Sequence, residues 1–307
     1  KVELLSPAGN LEKLKIAIKY GADAVYAGVS HFSLRIRAGK EFTFETFKEG
    51  IDYAHARGKK VYATINGFPF NSQIELLKKH IATMAALEPD GFIVAAPGVV
   101  KLCREIAPQI DIHLSTQANV LNYLDAQVFW DMGVKRIVVA REISLKDVVE
   151  IKKHLPDMEI EIFVHGSMCF AYSGRCLVSA VQMGRVPNRG SCANDCRFEY
   201  TLYAANEDHS TLFRLEEEPG VGTYIFNSKD MNLASHIKEI LDSGAVDSLK
   251  IEGRTKSPYY AAVTAKAYRN AIDDYYDGKF EASKYQKEQK TKKNRGFTDA
   301  YLIHRPF

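Results

Sequence analysis

Four cysteines lie close together in this 307-residue chain, in the spacing C-x6-C-x15-C-x3-C: Cys169, Cys176, Cys192 and Cys196. Thiolates in sets of four are the ligands that structural zinc and iron–sulfur clusters take from proteins. The close pair Cys192/Cys196 fits zinc, but the wider Cys169/Cys176 pair fits zinc less well, and irregular spacing is common among iron–sulfur ligands. A 4Fe-4S cluster is therefore the first interpretation, zinc is the alternative, and unligated thiols are a third. The fifth cysteine, Cys103, lies on an apolar helix face and is predicted to be a core residue.

Charged residues flank the cysteines and are candidates for substrate binding or acid–base chemistry. Arg175 and Arg189 lie between cysteines, and each guanidinium could bind a carboxylate or phosphate through two parallel hydrogen bonds. Neutralising a cluster, or remaining solvated, is the alternative role for these arginines. His165 is a candidate general acid or base, or a hydrogen-bonded barrel histidine. Glu142, Glu161 and Glu252 are candidate catalytic carboxylates by position, and each could instead be one half of a buried ion pair.

The elements that must position these groups alternate between short β-branched runs and amphipathic helices. Eight strands alternating with eight helices are typical of a (β/α)8 TIM-like barrel, and no glycine-rich dinucleotide fingerprint follows the first strand to favour an open sheet. The predicted strands are Leu4–Ala8, Ala24–Gly28, Val61–Asn66, Gly91–Ala95, Ile112–Gln117, Arg136–Arg141, Glu159–His165 and Ser248–Glu252.

Polar residues stand at the carboxyl ends of these predicted strands. Because barrel enzymes build their active sites at that end, we expect Asn66, Gln117, Asn119, Arg141 and Arg254 to bind substrate. A barrel mouth always collects some polar residues, so the pattern is moderately specific. His165 and Glu252, the candidate acid–base residues above, close two further strands.

The connection after the seventh strand is far longer than the 2–6 residues usual for such loops. It is predicted to form a cysteine-bearing insertion, 167–226, that includes a β-hairpin pairing Phe198–Ala204 with Thr223–Phe226. Loops of this length are usually functional, so the cysteines are expected to cover the barrel mouth. We expect the barrel to occupy 1–278. Residues 279–307 are predicted to form a basic linker or tail leading to a C-terminal module that this sequence does not include.

The composition excludes several classes of protein. Charged residues make up 26% and hydrophobic residues 46%, which is ordinary for a globular protein, and a net charge of +3 is too small to indicate a nucleic-acid partner by itself. No apolar run reaches the roughly 18 residues that a membrane span requires, and no signal peptide is visible. We therefore expect a cytoplasmic protein that does not contact a membrane, in which clustered cysteines indicate metal rather than disulfides.

The cysteine segment resembles the signature of the collagenase-like peptidase family U32. The matching stretch is EIFVHGSMCFAYSGRCLVS at residues 161–179, and ELLSPAGN, LSTQAN, FNSKD and KIEGR are similar to further blocks of the family. The resemblance covers nearly the whole chain. It implies a barrel core, often followed by a small β-rich domain. Although the family name implies proteolysis, its better understood members act in RNA hydroxylation, and the most similar ones form 5-hydroxyuridine at the wobble position of tRNA and depend on prephenate.

What the resemblance implies for function can be stated residue by residue. Related members use 4Fe-4S clusters on four cysteines, which implies Cys169, Cys176, Cys192 and Cys196 as ligands here. We therefore expect iron–sulfur-dependent tRNA hydroxylation, with tRNA as partner, prephenate as a candidate co-substrate and a homodimer as one assembly. A metal-dependent collagenase-like peptidase is the alternative, although no H-E-x-x-H or G-x-S-x-G motif is present. An RNA-binding scaffold with a structural metal is the second alternative.

Overall fold

Parallel strands form a closed barrel in this computed structural model, which describes residues 1–29, 32–33, 42–169, 171–189, 192–197, 202–205, 212–215, 230–288 and 297–303. The strands in chain order are β1 (Glu3–Pro7), β2 (Ala24–Ala27), β3 (Lys60–Ile65), β4 (Gly91–Val94), β5 (Asp111–Leu114), β6 (Arg136–Val138), β7 (Glu159–Ser167), β8 (Leu202–Ala205), β9 (Leu212–Leu215), β10 (Asp230–Asn232), β11 (Ser248–Ile251) and β12 (Phe297–Thr298). Strands β1 to β7 pair in chain order, and β11 pairs in parallel with both β1 and β7. The predicted (β/α)8 barrel is therefore confirmed.

Helices cover the outside of the barrel, apart from the short helix Val178–Met183, which lies at its mouth. They are α1 (Leu11–Lys19), α2 (Phe44–His55), α3 (Ile74–Ala85), α4 (Pro97–Ile106), α5 (Tyr123–Asp131), α6 (Leu145–His154), α7 (Val178–Met183), α8 (Ile237–Asp242), α9 (Pro258–Tyr276), α10 (Ala282–Glu288) and α11 (Ala300–Ile303). Their ends carry local signals: the Asn10 side chain accepts from Lys13 N, and Thr43 and Thr46 form a capping box that starts α2. Apolar faces then pack on the strands. None of the helices in the described part of the chain is both long and apolar enough to cross a membrane.

Two strands of the structure, β5 and β6, end earlier than the sequence predicts. Gln117 was expected inside the fifth strand, but it lies in a 3₁₀ turn, Thr116–Ala118, that follows β5 and ends at Asn119 in the left-handed conformation (φ 61°). Strand β6 ends at Val138, whereas the sequence predicts a strand to Arg141. Beyond the two strands, Thr116 Oγ1 donates to Val139 O at 3.1 Å, which ties the two loops together. Both turns bring polar residues over the barrel mouth.

The barrel interior holds a buried ionic network as well as apolar side chains. The apolar part is a small cluster, separate from the main core, formed by Leu5, Ala24, Tyr26, Tyr62 and Ile93. Arg136 Nη1 lies 2.6 Å from Glu3 Oε1 and 3.2 Å from Glu161 Oε2. Lys250 Nζ lies 2.6 Å from the other oxygen of Glu161, which is fully buried. Each of these charges therefore has a partner of the opposite sign, as burial of ions requires.

Strands outside the barrel extend the sheet beyond the end of β7. Strand β10 pairs antiparallel with β7, so that Asp230 lies opposite Ser167, and β12 pairs with β10. Strand β8 pairs antiparallel with β9, so that Leu202 lies opposite Leu215. The sequence instead predicts Thr223–Phe226 as the partner strand. Thr223–Phe226 itself lies outside the described residues.

Part of the predicted C-terminal tail packs against the barrel. Tyr285 of α10 is fully buried, and its hydroxyl donates to Asp274 of α9. Ala300 and Leu302 of α11 are also buried. The described part of 279–307 is thus continuous with the barrel core, and the predicted division of the chain at residue 278 stays a prediction.

Candidate functional site

A cavity opens at the carboxyl ends of the barrel strands, beneath the cysteine segment, which we define as residues 168–197. Together with the solvent space at its mouth, the cavity measures about 1140 Å³. Polar groups and thiols share its walls with an apolar floor of Tyr26, Ile93, Val138 and Phe163. Nine of the residues predicted from the sequence line this cavity: Asn66, Gln117, Arg141, Cys169, Cys176, Cys192, Cys196, Glu252 and Arg254. The position is the one at which barrel enzymes bind substrate.

All four clustered cysteines contribute to this one cavity wall. Cys176 Sγ accepts a hydrogen bond from Val178 N at 3.3 Å, and Cys192 Sγ lies 4.0 Å from Asn194 Oδ1. Burial raises the pKa of the Cys176 thiol, and the neighbouring Cys169 and Cys192 raise it further. Within the residues that the structure describes, no three His, Cys, Asp or Glu side chains are already arranged as ligands of a metal ion. The donor set is nevertheless the one that thiophilic metals take.

Glu142 binds the cysteine segment instead of facing the cavity. Its Oε1 accepts from Ser173 N at 2.8 Å and its Oε2 accepts from Ser173 Oγ at 2.5 Å. Ser173 Oγ in turn accepts from Arg141 N at 3.3 Å. Ser173 is fully buried and has a positive φ of 41°, a conformation that is strained for a residue other than glycine. The predicted acid–base residue Glu142 therefore uses both oxygens to hold a turn between Cys169 and Cys176.

Asn119 and Arg175, predicted to bind substrate, connect the cysteine segment to the loop after β5. Asn119 Nδ2 donates to Tyr172 O at 3.4 Å, and Arg175 Nε donates to Gln117 O at 3.1 Å. Neither is among the described residues that line the cavity. On another side of the mouth, Phe68 N donates to Asn188 O at 3.3 Å. The segment is thus tied to loops on different sides of the barrel.

Three predicted arginines have different outcomes. Arg189 lies in the turn Pro187–Arg189, and its side chain is outside the described part of the structure. Arg254 reaches into the cavity wall, where its Nη1 donates to Ser33 Oγ at 2.8 Å and Thr64 Oγ1 at 3.0 Å. Arg141 stacks on Phe163, with its Cζ 3.9 Å from the ring centroid. Arg141 and Arg254 therefore make the upper cavity wall cationic.

The second pair of cysteines is held by a buried acid. Asp195, between Cys192 and Cys196, is 1% exposed and accepts from the Ser179 hydroxyl of α7. Ser179 Oγ also accepts from Ala193 N at 3.1 Å. Sequence reasoning did not identify this contact, because nothing in the spacing of Ser179 and Asp195 indicates that they meet.

His165 is not among the described residues that line the cavity, although it was predicted as a catalytic residue. Its Nδ1 is 3.4 Å from the Tyr268 hydroxyl of α9, and that hydroxyl donates to Val164 O at 2.6 Å. His165 lies outside the cavity because the pairing of β7 with β11 is irregular. Lys250 lies opposite Phe163, but the next residue, Ile251, lies opposite His165, so that Val164 is an extra residue in β7. Because one extra residue reverses the faces of a strand, His165 points outward to α9.

Glu252 and Ser167 form a buried polar corner of the cavity. Glu252 is 5% exposed and its Oε2 accepts from Ser167 N at 3.4 Å. Ser167 Oγ is buried, lines the cavity and has no hydrogen-bond partner among the described residues. Gly166 beside it has φ +111°, and a Cβ there would lie 2.8 Å from Glu252 Cβ. Sequence reasoning missed Ser167, although it lies inside the GSMC block that carried the resemblance.

Lys250 lies at the cavity floor and was also missed, although it begins the KIEGR block. Its Nζ lies over the Tyr26 ring at 4.5 Å from the centroid, in addition to the ion pair with Glu161. Burial lowers the pKa of Lys250, and Glu161 acts in the opposite direction. The floor therefore combines aromatic surface with a buried amine.

The comparisons with known proteins agree with this architecture. The model of Peptidase family U32 matches residues 9–307. A Helicobacter pylori (strain J99) protein named tRNA hydroxylation protein P is 72% identical over 307 residues, which are 100% of this chain and 73% of that protein. The Escherichia coli (strain K12) protein of the same name is 41% identical over 339 residues, covering 98% of this chain and 74% of that protein.

A solved structure shows the same fold. The U32 peptidase Mk0906 superposes with a TM-score of 0.53, covering 82% of this chain and 94% of that chain at 17% identity. The family match extends over nearly the whole chain, and the relatives above exceed 40% identity across it. This chain therefore belongs to Peptidase family U32.

Proposed function

We propose that this protein hydroxylates tRNA, at C5 of the wobble uridine, in a reaction that depends on a 4Fe-4S cluster held by Cys169, Cys176, Cys192 and Cys196. Two relatives with 72% and 41% identity are named tRNA hydroxylation protein P. The observation that carries the proposal for this chain is that all four thiols line the same cavity as the polar residues of the strand ends. A tRNA substrate also makes the cytoplasm the proposed location.

The spacing of the four cysteines supports a cluster over a single zinc ion. Cys192 and Cys196, with three residues between them, fit the close pairs of zinc sites, whereas Cys169 and Cys176, with six between them, fit less well. Irregular spacing of this kind is common among iron–sulfur ligands. When bound, the cluster would supply one-electron chemistry.

The protein's own residues would bind and orient the base. RNA-modifying enzymes take the target base out of its stack and read its edge by hydrogen bonds. Uracil offers two carbonyl acceptors and one N–H donor. Gln117, Asn66 and Ser167 carry groups that can donate to the carbonyls, and the buried carboxylate of Glu252 can accept from the N–H. The aromatic floor formed by Tyr26 and Phe163 would exclude water beneath the base.

Cations at the mouth would contact anionic groups. Arg141 and Arg254 line the cavity and could bind the carboxylates of a small co-substrate such as prephenate. Arg175 is exposed beside the opening, where an RNA phosphate would pass. A homodimer is not needed for any of these contacts and stays a prediction.

The peptidase alternative lacks support in the cavity. The described residues that line it include no histidine, so no Ser–His or Cys–His pair forms among them. His165 is directed to α9 instead. The relatives with 72% and 41% identity, named for tRNA hydroxylation, therefore support RNA hydroxylation over proteolysis for this site.

The test combines tRNA analysis with metal analysis. The gene would be expressed in a bacterial strain that lacks its own tRNA hydroxylation protein P, and 5-hydroxyuridine would be measured in tRNA digests by mass spectrometry. We expect wild type to restore the modification and each of the four Cys→Ser variants to abolish it. Protein purified without oxygen should contain iron and sulfide and absorb near 400 nm. Restoration by all four Cys→Ser variants would refute the cluster, and failure of wild type to restore would refute the activity.

A further inference from the structure

Each half of the cysteine segment is held by one carboxylate that accepts a hydrogen bond from a serine hydroxyl. Glu142 binds Ser173, which lies between Cys169 and Cys176. Asp195 lies between the other two cysteines and binds Ser179. We propose that Glu142 and Asp195 are positioning residues, which arrange the four thiols for cofactor loading before the cofactor arrives. The choice of an iron–sulfur cluster as that cofactor rests on the proposed function, but the positioning itself does not.

The first contact fixes the Cys169/Cys176 half to the barrel. Glu142 follows β6, so it belongs to the rigid mouth and not to the insertion. Three hydrogen bonds meet at Ser173: its N–H and its hydroxyl donate to Glu142, and its oxygen accepts from Arg141 N at 3.3 Å. Because Ser173 is held at a positive φ of 41°, the turn needs these bonds to keep its conformation. Loss of the carboxylate would release the turn that separates the two cysteines.

The second contact joins the two halves to each other. Ser179 lies in the first turn of α7, three residues after Cys176. Its hydroxyl donates to Asp195 and accepts from Ala193 N at 3.1 Å, so one side chain contacts the loop twice. Ser179 is 2% exposed and Asp195 is 1% exposed, so water does not compete for this bond. Together the two contacts connect the barrel to Cys176 and then to the loop of the remaining cysteines.

A positioning role explains the placement of Glu142 better than a catalytic role. Glu142 is not among the described residues that line the cavity, and both of its oxygens accept hydrogen bonds from Ser173. A general acid or base must instead reach the proton that it transfers. Metal sites depend on the groups that orient their ligands, and loss of such a partner typically lowers metal affinity about 10- to 100-fold.

The test uses variants of each carboxylate in the full chain. Glu142→Ala, Glu142→Gln and Asp195→Asn would be compared with Glu105→Gln, which alters an exposed glutamate on α4. Hydrogen exchange would be followed by mass spectrometry in the apo protein. We expect exchange of residues 171–176 to accelerate at least about tenfold in Glu142→Ala, and less in Glu142→Gln, which keeps one carbonyl acceptor. In Asp195→Asn the acceleration should fall on residues 192–197 instead.

Cofactor loading supplies the second measurement. Iron and sulfide bound after anaerobic reconstitution at limiting iron should fall at least about tenfold in Glu142→Ala and Asp195→Asn, and remain unchanged in Glu105→Gln. Circular dichroism would establish that each variant remains folded. The proposal would be overturned if the variants exchanged residues 171–176 and 192–197 at the wild-type rate. It would also be overturned if the wild type bound iron and the variants bound the same amount. If the wild type binds no iron, the cluster fails, while hydrogen exchange still decides whether the carboxylates position the thiols.

Discussion

Arg136 and Glu161 form an ion pair inside the barrel, with Arg136 Nη1 3.2 Å from Glu161 Oε2 and no exposed surface on the Glu161 side chain. Glu161 simultaneously binds Lys250, whose amine forms part of the cavity floor. The network therefore connects the amino-terminal end of the barrel to the cavity at its mouth. It replaces the branched apolar layers that fill most barrels of this kind.

Removal of Glu161 should strongly destabilise the protein. Glu161→Gln leaves Arg136 and Lys250 without their shared counter-charge, and breaking a buried ion pair costs about 3–5 kcal/mol. Urea unfolding at pH 7.5 measures the change. Glu49→Gln is the matched control, since Glu49 and Lys15 are exposed and lie 2.7 Å apart, close to the 2.6 Å between Glu161 and Lys250. We expect the control to change the free energy of unfolding by less than about 1 kcal/mol; equal losses in the two variants would contradict this explanation.

The stability of the protein should fall in acid because of His113. Burial lowers the pKa of His113 well below its ordinary value, and Arg136, Lys250, Lys135 and Lys60 lower it further. A histidine in the unfolded chain has a pKa of about 6.5. Below that pH the unfolded chain therefore binds a proton that His113 does not bind in the folded protein. This site therefore costs no stability above about pH 7, and its cost grows by up to about 1.4 kcal/mol per pH unit below about 6.5.

The measurement is the free energy of urea unfolding between pH 7.5 and 5. His113→Gln should show a shallower decline toward acid than wild type. The control, His154→Gln, alters a histidine that is 43% exposed and should keep the wild-type slope. Identical slopes in the wild type and His113→Gln would show that His113 is not responsible.

The five cysteines should divide into two groups. Ser variants of the four cavity cysteines should lose bound iron and hydroxylation activity while their unfolding changes little in the apo protein. Cys103 is fully buried on α4, and burial raises its pKa to about 12. Cys103→Ser should keep bound iron, because Cys103 lies away from the cavity. It should lose about 1–3 kcal/mol of stability, because it buries a hydroxyl in apolar surroundings. Iron assays and thermal unfolding distinguish the two outcomes.

Gly166 should be needed for the placement of Glu252. In Gly166→Ala the new Cβ would meet Glu252 Cβ and O at 2.8 Å, and the residue would also have to keep φ +111°. Gly58→Ala is the control, because Gly58 also has a positive φ, +65°, but no atom lies within 4 Å of the position that its Cβ would take. Both variants should lose about 1 kcal/mol of stability, and Gly166→Ala more. We expect only Gly166→Ala to lower kcat. An equal kcat in both variants would show that the site does not depend on Gly166.

Ser167 should contribute to binding and not to stability. Its hydroxyl is buried without a partner among the described residues, so Ser167→Ala removes an unsatisfied group and should leave stability unchanged or raise it by up to about 1 kcal/mol. If the hydroxyl contacts the substrate, KM should rise about tenfold. Ser248→Ala is the comparison: Ser248 Oγ donates to Glu3 Oε1 at 2.9 Å, so that variant should lose stability instead. An unchanged KM in Ser167→Ala would remove Ser167 from the substrate site.

The barrel and much of its cavity were predictable from the sequence because they follow from local patterns. Strand and helix periodicities repeat along the chain, and the polar residues at strand ends, such as Asn66, Gln117 and Arg254, meet at the mouth once the sheet closes. The errors have tertiary causes. His165 turned outward because one extra residue in β7 changes the register with β11, and no sequence pattern marks that bulge.

Other residues were predicted at the mouth, but their partners were not. Glu142, Asn119 and Arg175 all lie near the opening. Each forms a hydrogen bond between the insertion and a barrel loop. Such contacts join residues far apart in the sequence. Spacing within one motif therefore locates the cysteines correctly but cannot show which side chains hold them.

The two ends of the insertion after β7 lie next to each other in the sheet. Asp230, where the chain returns, pairs in register with Ser167, where the chain departs. The attachment points therefore stay adjacent whatever lies between them, and the entropic cost of a longer loop grows only slowly with its length. New residues could be added between the cysteines and β10, or the hairpin of β8 and β9 exchanged, while the barrel keeps its closure. One scaffold can in this way present different covers over the same cavity, and evolution could change the substrate by altering the cover alone.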